Sequence, residues 1–397
     1  MIKQIQLVPV ILVGFVSSLF GQGMASIGLL SDFEDFDSSL PFTTTISTVF
    51  GYDSNVDSRP KFVEDASSYT QGRVSGAYSA VRGKTHFGLN AGFATMYYFE
   101  REDTTFNSAD GSLNIYHKIT PRLTLANKSY LSYSIEPNLA LGASASRRLS
   151  HYYYGHNNLS LTYAFNRRIT SITRLGVNGI DYEDEINSAG EDRLRYNISQ
   201  EMRYVLNVVT DLVGEYRHAS VNYDIADLDY GAHYLLAGLN HRFSLLLRGT
   251  LMAGAHTRSY DNGNEDGWKP YLETSLRYDV TEKTKLAWIN RVGYEDGEFV
   301  SNRATSRSGF KSSVNLTHSF TDRLRSEFGL SYQNSNFERP EMIDLAEELQ
   351  SVNLGLSYQL FSNIDLNARY SYISLGSEDL FRDFLRHRIS AGMSIKF

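Results

Sequence analysis

The chain has 397 residues, among them 27 Tyr and 22 Phe, and a formal net charge of -7. Its mean hydropathy of -0.32 is too polar for a bundle of membrane helices. Scattered Lys and Arg argue against a nucleic-acid partner, and the lack of cysteine excludes disulfides, thiolate metal sites and a cysteine nucleophile.

The only long apolar run, Ile5 to Phe20, follows Lys3 and precedes the small residues Gly21, Gly23, Ala25 and Ser26. It reads as a signal peptide over residues 1–25, with cleavage after Ala25 or after Gly21. The competing reading is an anchor helix, but Pro9, Gly14 and the Ser17-Ser18 pair cut the strongly apolar stretch below the roughly 20 residues needed to span. Residues 26–41 read as a short periplasmic leader carrying Asp32, Glu34, Asp35 and Asp37. Two roles stay open for it, a solvated tail and a periplasmic contact or partial gate.

From Phe42 onward one unit repeats to the last residue: about ten to fifteen alternating residues, a tight turn, a second alternating stretch, then a longer polar loop. Tight turns are expected at Val81-Arg82-Gly83-Lys84, Thr120-Pro121-Arg122, Asn166-Arg167-Arg168, Asn207 to Asp211, Phe243-Ser244, Thr281-Glu282-Lys283, Thr321-Asp322-Arg323 and Phe361-Ser362-Asn363. Longer loops fall near residues 53–67, 100–108, 137–150, 183–191, 225–229, 260–267, 298–306, 338–347 and 376–384. The count is about eighteen strands, an even number that returns both chain ends to one side. Pro41, Pro60, Pro121, Pro137, Pro270 and Pro340 fall where the pattern starts, stops or turns, so none is expected inside a strand.

The expected fold is therefore all-β: a single transmembrane antiparallel up-and-down β-barrel over residues 42–397, with short periplasmic turns and longer extracellular loops. The last strand is the clearest case, with Ile389, Ala391, Met393, Ile395 and Phe397 on one face and Arg388, Ser390, Gly392, Ser394 and Lys396 opposite. Ile364, Leu366, Ala368, Tyr370 and Tyr372 repeat this lipid-facing pattern, as do Val352, Leu354, Leu356, Tyr358 and Leu360. A soluble β-sandwich also alternates, so the aromatic positions must decide. Tyr97-Tyr98-Phe99, Tyr133, Tyr152-Tyr153-Tyr154, Tyr260, Tyr294, Tyr332 and Tyr372 sit at loop ends; Phe165, Tyr204, Phe243, Phe320, Phe361 and Phe397 sit at turn ends. They read as two girdles at the headgroup levels of a bilayer, where a sandwich would gather its rings at mid-strand.

Two stretches carry a family resemblance: the first strand with its exit, Phe50-Gly51-Tyr52-Asp53-Ser54-Asn55-Val56, and the terminal strand ending in Phe397. On these the chain resembles the putative β-barrel porin 2 family. The resemblance implies an outer-membrane protein, in a family where some members are encoded beside exopolysaccharide synthesis and export genes. A terminal phenylalanine on an alternating strand is similar to the signal read by the barrel-assembly machinery.

Charges expected to line the lumen come in both signs: Arg193, Arg195, Glu201, Arg203, Glu215, Arg217, Glu273, Arg277, Asp279, Arg325, Glu327, Asp365, Arg369, Arg388 and Lys396. Either they ladder a hydrated channel, or they pair into a network that fills and stiffens a closed barrel. Side chains can fill eight strands, whereas sixteen to eighteen leave an aqueous bore unless a plug closes it. The segment from Ser26 to Leu40 is too short for a plug domain.

Asp53, Asn55 and Asp57 alternate oxygen ligands as a calcium loop does, and so do Asp261, Asn262, Asn264, Glu265 and Asp266, but neither stretch has the EF-hand spacing. Turns favour these residues for backbone reasons, so no metal or cofactor is assigned. No Gly-x-Ser-x-Gly elbow occurs, His151 and His156 project to opposite faces of a strand, and Gly83-Lys84-Thr85 lacks the leading glycine of a phosphate loop because position 78 is Tyr. The sequence-based function is thus a non-enzymatic outer-membrane channel of a Gram-negative bacterium, passing small hydrophilic solutes or an exported polysaccharide. The alternatives are a non-conducting barrel that scaffolds a surface or exopolysaccharide assembly, and an outer-membrane hydrolase. Expected partners are outer-membrane lipid, the barrel-assembly machinery and the solute; the oligomeric state is left open.

Overall fold

Period-two patterning lets a segment show one chemistry to each face of a sheet, and the chain uses it throughout. The computed structural model describes residues 42–101, 105–135, 151–183, 192–224, 229–261, 265–295, 306–338, 345–379 and 382–397. The expected signal peptide and leader, together with Pro41, Pro137 and Pro340, lie outside these residues. The strands are β1 (Phe42–Asp53), β2 (Ser67–Arg82), β3 (Thr85–Tyr98), β4 (Thr105–Thr120), β5 (Leu123–Ser134), β6 (Tyr152–Ala164), β7 (Ile169–Tyr182), β8 (Arg193–Asn207) and β9 (Thr210–Tyr223). They continue as β10 (Tyr230–Arg242), β11 (Leu247–Tyr260), β12 (Glu265–Thr281), β13 (Thr284–Glu295), β14 (Ser306–Ser319), β15 (Leu324–Glu338), β16 (Leu345–Phe361), β17 (Ile364–Ser377) and β18 (Phe384–Lys396). One short 3-10 turn, Lys61–Val63, lies between β1 and β2.

Every strand pairs antiparallel with its sequence neighbours, and β1 also pairs with β18, so the 18-stranded sheet closes on itself. Closure removes every sheet edge, which a span through hydrocarbon requires. At the seam Phe397 N donates to Thr44 O at 2.8 Å and Thr44 N to Phe397 O at 3.1 Å, so the terminal residue is part of the ladder.

The turns form for local reasons. Side-chain oxygens of Thr120, Asn166, Ser244 and Thr321 each accept backbone N–H groups two and three residues on, at 2.8–3.2 Å, which is how Asn, Ser and Thr imitate a backbone turn. Gly83 has φ +60, the left-handed conformation that glycine adopts freely. Pro270 departs from expectation: it lies within β12, paired with Ala255. The ladder tolerates it because the register slips between His256 and Arg258, beside the loop end, where regular donation is already interrupted.

On the outer face Leu354, Leu356, Ile389 and Met393 are exposed, as are Leu235, Leu251 and Phe310 around the wall. A continuous exposed apolar surface of this kind fits lipid. The polar side chains interspersed there satisfy one another: Thr173 donates to Gln200 at 2.7 Å, Asn157 to Ser129 at 2.7 Å, and Asn290 to Thr274 at 3.0 Å.

The girdle reading holds for part of its residues. Tyr97 and Tyr153 face outward and are exposed, whereas Tyr98, Tyr152, Tyr154 and Tyr260 alternate to the inner face and are buried. Consecutive aromatics cannot share one face of a strand. The inner tyrosines pack in apolar clusters, the largest joining Val221, Tyr230, Tyr234, Leu236, Met252 and Tyr271 across β9 to β12. The inner wall is consequently less polar than expected, and its apolar side chains lie mostly in the loop-end half.

Candidate functional site

The inner face brings together residues that are distant in sequence, and three assemblies stand out. The first clamps the seam. Asp53, fully buried at the loop end of β1, accepts from Arg386 Nε on both carboxylate oxygens at 3.0 and 3.1 Å, and Arg388 Nε lies 3.5 Å from it. The Arg388 guanidinium stacks 4.6 Å over the Tyr69 ring. That ring lies where a side chain at Gly51 would have to go, since a Cβ there would meet it at 2.5 Å. Asn55, also buried, donates to Arg59 O at 2.7 Å and to Leu385 O at 3.0 Å and accepts from Arg59 N at 2.9 Å. Asp57 is engaged by Arg59 at 2.7 Å and Arg101 at 2.9 Å. Asp53, Asn55 and Asp57, the first calcium-like stretch, thus serve arginine or backbone. In the second, Asn262 and Asn264 lie outside the described residues. The Phe50 to Val56 signature is the piece that fastens the first strand to the last.

The second assembly is a band of charge along β7 to β12. Arg174 Nη2 donates to Glu201 at 2.8 Å and its Nη1 lies 3.5 Å from Glu215, while Arg203 closes on the other oxygen of Glu201. Arg217 donates to Glu215 at 2.8 Å and, with both terminal nitrogens, to Glu273 at 2.9 Å. The Tyr271 hydroxyl also donates to Glu273. Arg217 reaches β12 over the inward Leu236 and Met252 of β10 and β11, so the pair closes above an apolar floor. Glu201, Glu215 and Glu273 are buried, which is tolerated only because each carboxylate is met by guanidinium.

The third lies toward the turn end, where Arg325 pairs with Glu327 at 3.0 Å and Lys396 with Asp365 at 2.7 Å. Register places all the sequence-derived charges on the inner face: Arg193, Arg195, Arg277, Asp279 and Arg369 share it with Glu201, Glu215, Glu273 and Arg388. The structure brings Glu201, Arg203, Glu215, Arg217 and Glu273 into one network and leaves Arg369 exposed on β17.

Sequence reasoning missed Arg174, the pairing of Asp53 with Arg386, the Glu347–Arg382 pair and the Arg73–Asp110 pair at 2.6 Å. For those within strands inward parity was available as a signal, but Arg174 shares its face with Ile172 and Ile180, so the polar-inside pattern on β7 is broken. Arg382 lies in the segment between β17 and β18, where parity does not apply. Among the remaining candidates, His156 is inward on β6 and His151 stacks on Tyr133 beyond the strand end, while Gly83 and Lys84 form the β2–β3 turn and Thr85 opens β3. At the loop end Asp192 accepts the Tyr182 N–H at 2.8 Å, and burial, followed by the neighbouring Asp181 and Asp224, pushes its carboxyl up to about 6.

An eighteen-stranded closed cylinder with an apolar outside and charged inside prompts comparison with known proteins. Residues 234–397 match the family described as putative beta-barrel porin 2. The family suggested by the first and last strands is the one matched, over the C-terminal part of the chain. Similar solved structures include OpdK of Pseudomonas aeruginosa at 12% identity, covering 90% of this chain and 99% of that chain with a TM-score of 0.49. OccAB3 of Acinetobacter baumannii is 10% identical, with coverage of 90% and 99% and a TM-score of 0.47. The siderophore receptor PirA of Pseudomonas aeruginosa is also 10% identical, with coverage of 91% and 81% and a TM-score of 0.43. Among curated proteins nothing matches the chain. The chain is a β-barrel of the Gram-negative outer membrane.

Proposed function

We propose that the barrel is a channel that lets small hydrophilic solutes diffuse through its lumen. The observation that carries this reading is closure with eighteen strands: a cylinder of this size has more interior than wall side chains can fill, so water enters. The charges named above would then set solute preference, with the paired band on β7 to β12 stiffening one wall and exposed groups such as Arg369 meeting the solute. Passage of a secreted polysaccharide by the same bore is a finer version of this proposal, supported only by the family association. In the same reading residues 1–25 direct export, residues 26–41 lie in the periplasm, and Phe397 is presented to the barrel-assembly machinery. The protein acts by conduction and not by catalysis.

Planar-bilayer recording of the purified protein tests the proposal. Stepwise conductance that scales with bulk electrolyte is expected. A folded, heat-modifiable barrel without conductance above background at any voltage would remove the channel while leaving the architecture intact.

A further inference from the structure

At the turn end of the inner wall three arginines stand side by side. Arg242 of β10 is in register with Arg248 of β11, and Arg248 with Arg277 of β12. Inward parity follows from Tyr234 and Leu236 on β10, Met252 and His256 on β11, and Tyr271 and Glu273 on β12, all buried on the lumenal side. Cross-strand neighbours in such a ladder have Cβ atoms only about 4.5–5.5 Å apart, so like charges directly opposite repel. Elsewhere on this wall the structure offsets such charge with carboxylates, as for Arg174, Arg203 and Arg217. At Arg242 and Arg248 it does not: among the described residues no carboxylate oxygen comes within 4.0 Å of either, although Asp211 and Asp279 flank the row on the same face. Both arginines are exposed to the bore.

The next inward row repeats the pattern with neutral donors. Asn240, Thr250 and Ser275 are themselves in cross-strand register, one step above the arginines. The exposed forks of Arg242 and Arg248, beside Arg277 and under three amide or hydroxyl groups, make a surface that satisfies several oxygens of one ligand at once. Guanidinium matches planar carboxylate and tetrahedral phosphate in paired hydrogen bonds, which ammonium cannot do. We propose that this patch is an oxyanion-binding site at the periplasmic mouth of the lumen, selecting solutes that bear more than one carboxylate or a phosphate. It deepens the channel reading by naming the solute class, and binding itself needs no conduction.

The test measures equilibrium binding and ion selectivity on the same preparation, the full-length mature barrel in zwitterionic detergent. Citrate and inorganic phosphate are titrated calorimetrically in low salt, where screening is weak. Saturable binding to the wild-type protein is expected. Because a charge-assisted hydrogen bond is typically worth a factor of about ten or more, Arg248→Gln should weaken binding about tenfold, and the Arg242→Gln/Arg248→Gln pair should abolish it. Arg248→Lys, which keeps the charge but not the fork, should fall between wild type and Arg248→Gln. Arg82→Gln removes the same charge from the outer face of β2 and should leave binding unchanged. In bilayers under a salt gradient, the reversal potential of the double variant should shift toward cation preference. Wild-type protein that binds neither anion, or a folded double variant that binds both as well as wild type, would overturn the site. Binding without conductance would overturn the channel reading alone.

Discussion

Neutralising Asp53 while keeping its size, as Asp53→Asn, probes how the cylinder is held shut. The carboxylate is fully buried and accepts two Arg386 Nε contacts at 3.0 and 3.1 Å, with the Asn55 N–H at 3.2 Å. Removing one partner of a buried ion pair costs about 3–5 kcal/mol. The asparagine oxygen keeps part of the acceptor geometry, so the expected loss is at the lower end, about 3 kcal/mol. An exposed pair would lose under about 1 kcal/mol, and this difference in regime makes the measurement decisive. Urea unfolding of the protein in phospholipid vesicles, followed by the fluorescence of Trp268 and Trp288, gives the stability directly. The double variant with Arg386→Met should show a coupling energy above about 2 kcal/mol. A single-variant loss below about 1 kcal/mol would mean that lumenal water screens the pair and that the seam is held by its ladder alone.

Gly51→Ala should destabilise the barrel by about 1–3 kcal/mol in the same assay, because the new Cβ would meet the Tyr69 ring at 2.5 Å and push it off Arg388. The Asp192 carboxyl, raised to about 6 by burial, resists ionisation in the fold, while in the unfolded chain it titrates near 3.9. Its cost to stability is absent below about pH 4 and grows as pH rises to about 6; Asp192→Asn should therefore flatten that part of a thermal-stability profile between pH 4 and 8, and an unchanged profile would sink the reasoning. Deleting Phe397 removes two hydrogen bonds to Thr44 as well as the terminal ring, whereas Phe397→Ala removes only the ring. Lower assembled yield in outer membranes from both changes would point to side-chain recognition, and a defect from the deletion alone to the ladder.

The strands, their turns and the two faces of each are legible in the amino-acid sequence, because alternation and turn chemistry are local properties with short periods. Leu354, Leu356 and Leu360 declare the outer face of β16 by spacing alone, and all three are exposed on the closed cylinder. Any apolar residue at those positions would serve equally, since it is the two-residue spacing that assigns the face. The same parity puts the charged candidates on the inner face without knowledge of any partner.

What parity could not supply is which charges meet. Arg217 finds Glu273 three strands away, and Asp53 finds Arg386 across the closing seam, and both choices depend on register and curvature around the whole cylinder. The same dependence hid the arginine row, since Arg242, Arg248 and Arg277 become neighbours only when β10, β11 and β12 are laid in register. Parity turns Tyr98, Tyr152, Tyr154 and Tyr260 inward, against the lipid-belt expectation, but the clusters in which they are buried needed partners from neighbouring strands. Local sequence determined the strands and their faces, because those follow from the two-residue repeat of the extended chain. Tertiary structure decided the ion pairs, the seam and the candidate anion site, because each is built from side chains that only closure of the sheet brings within reach.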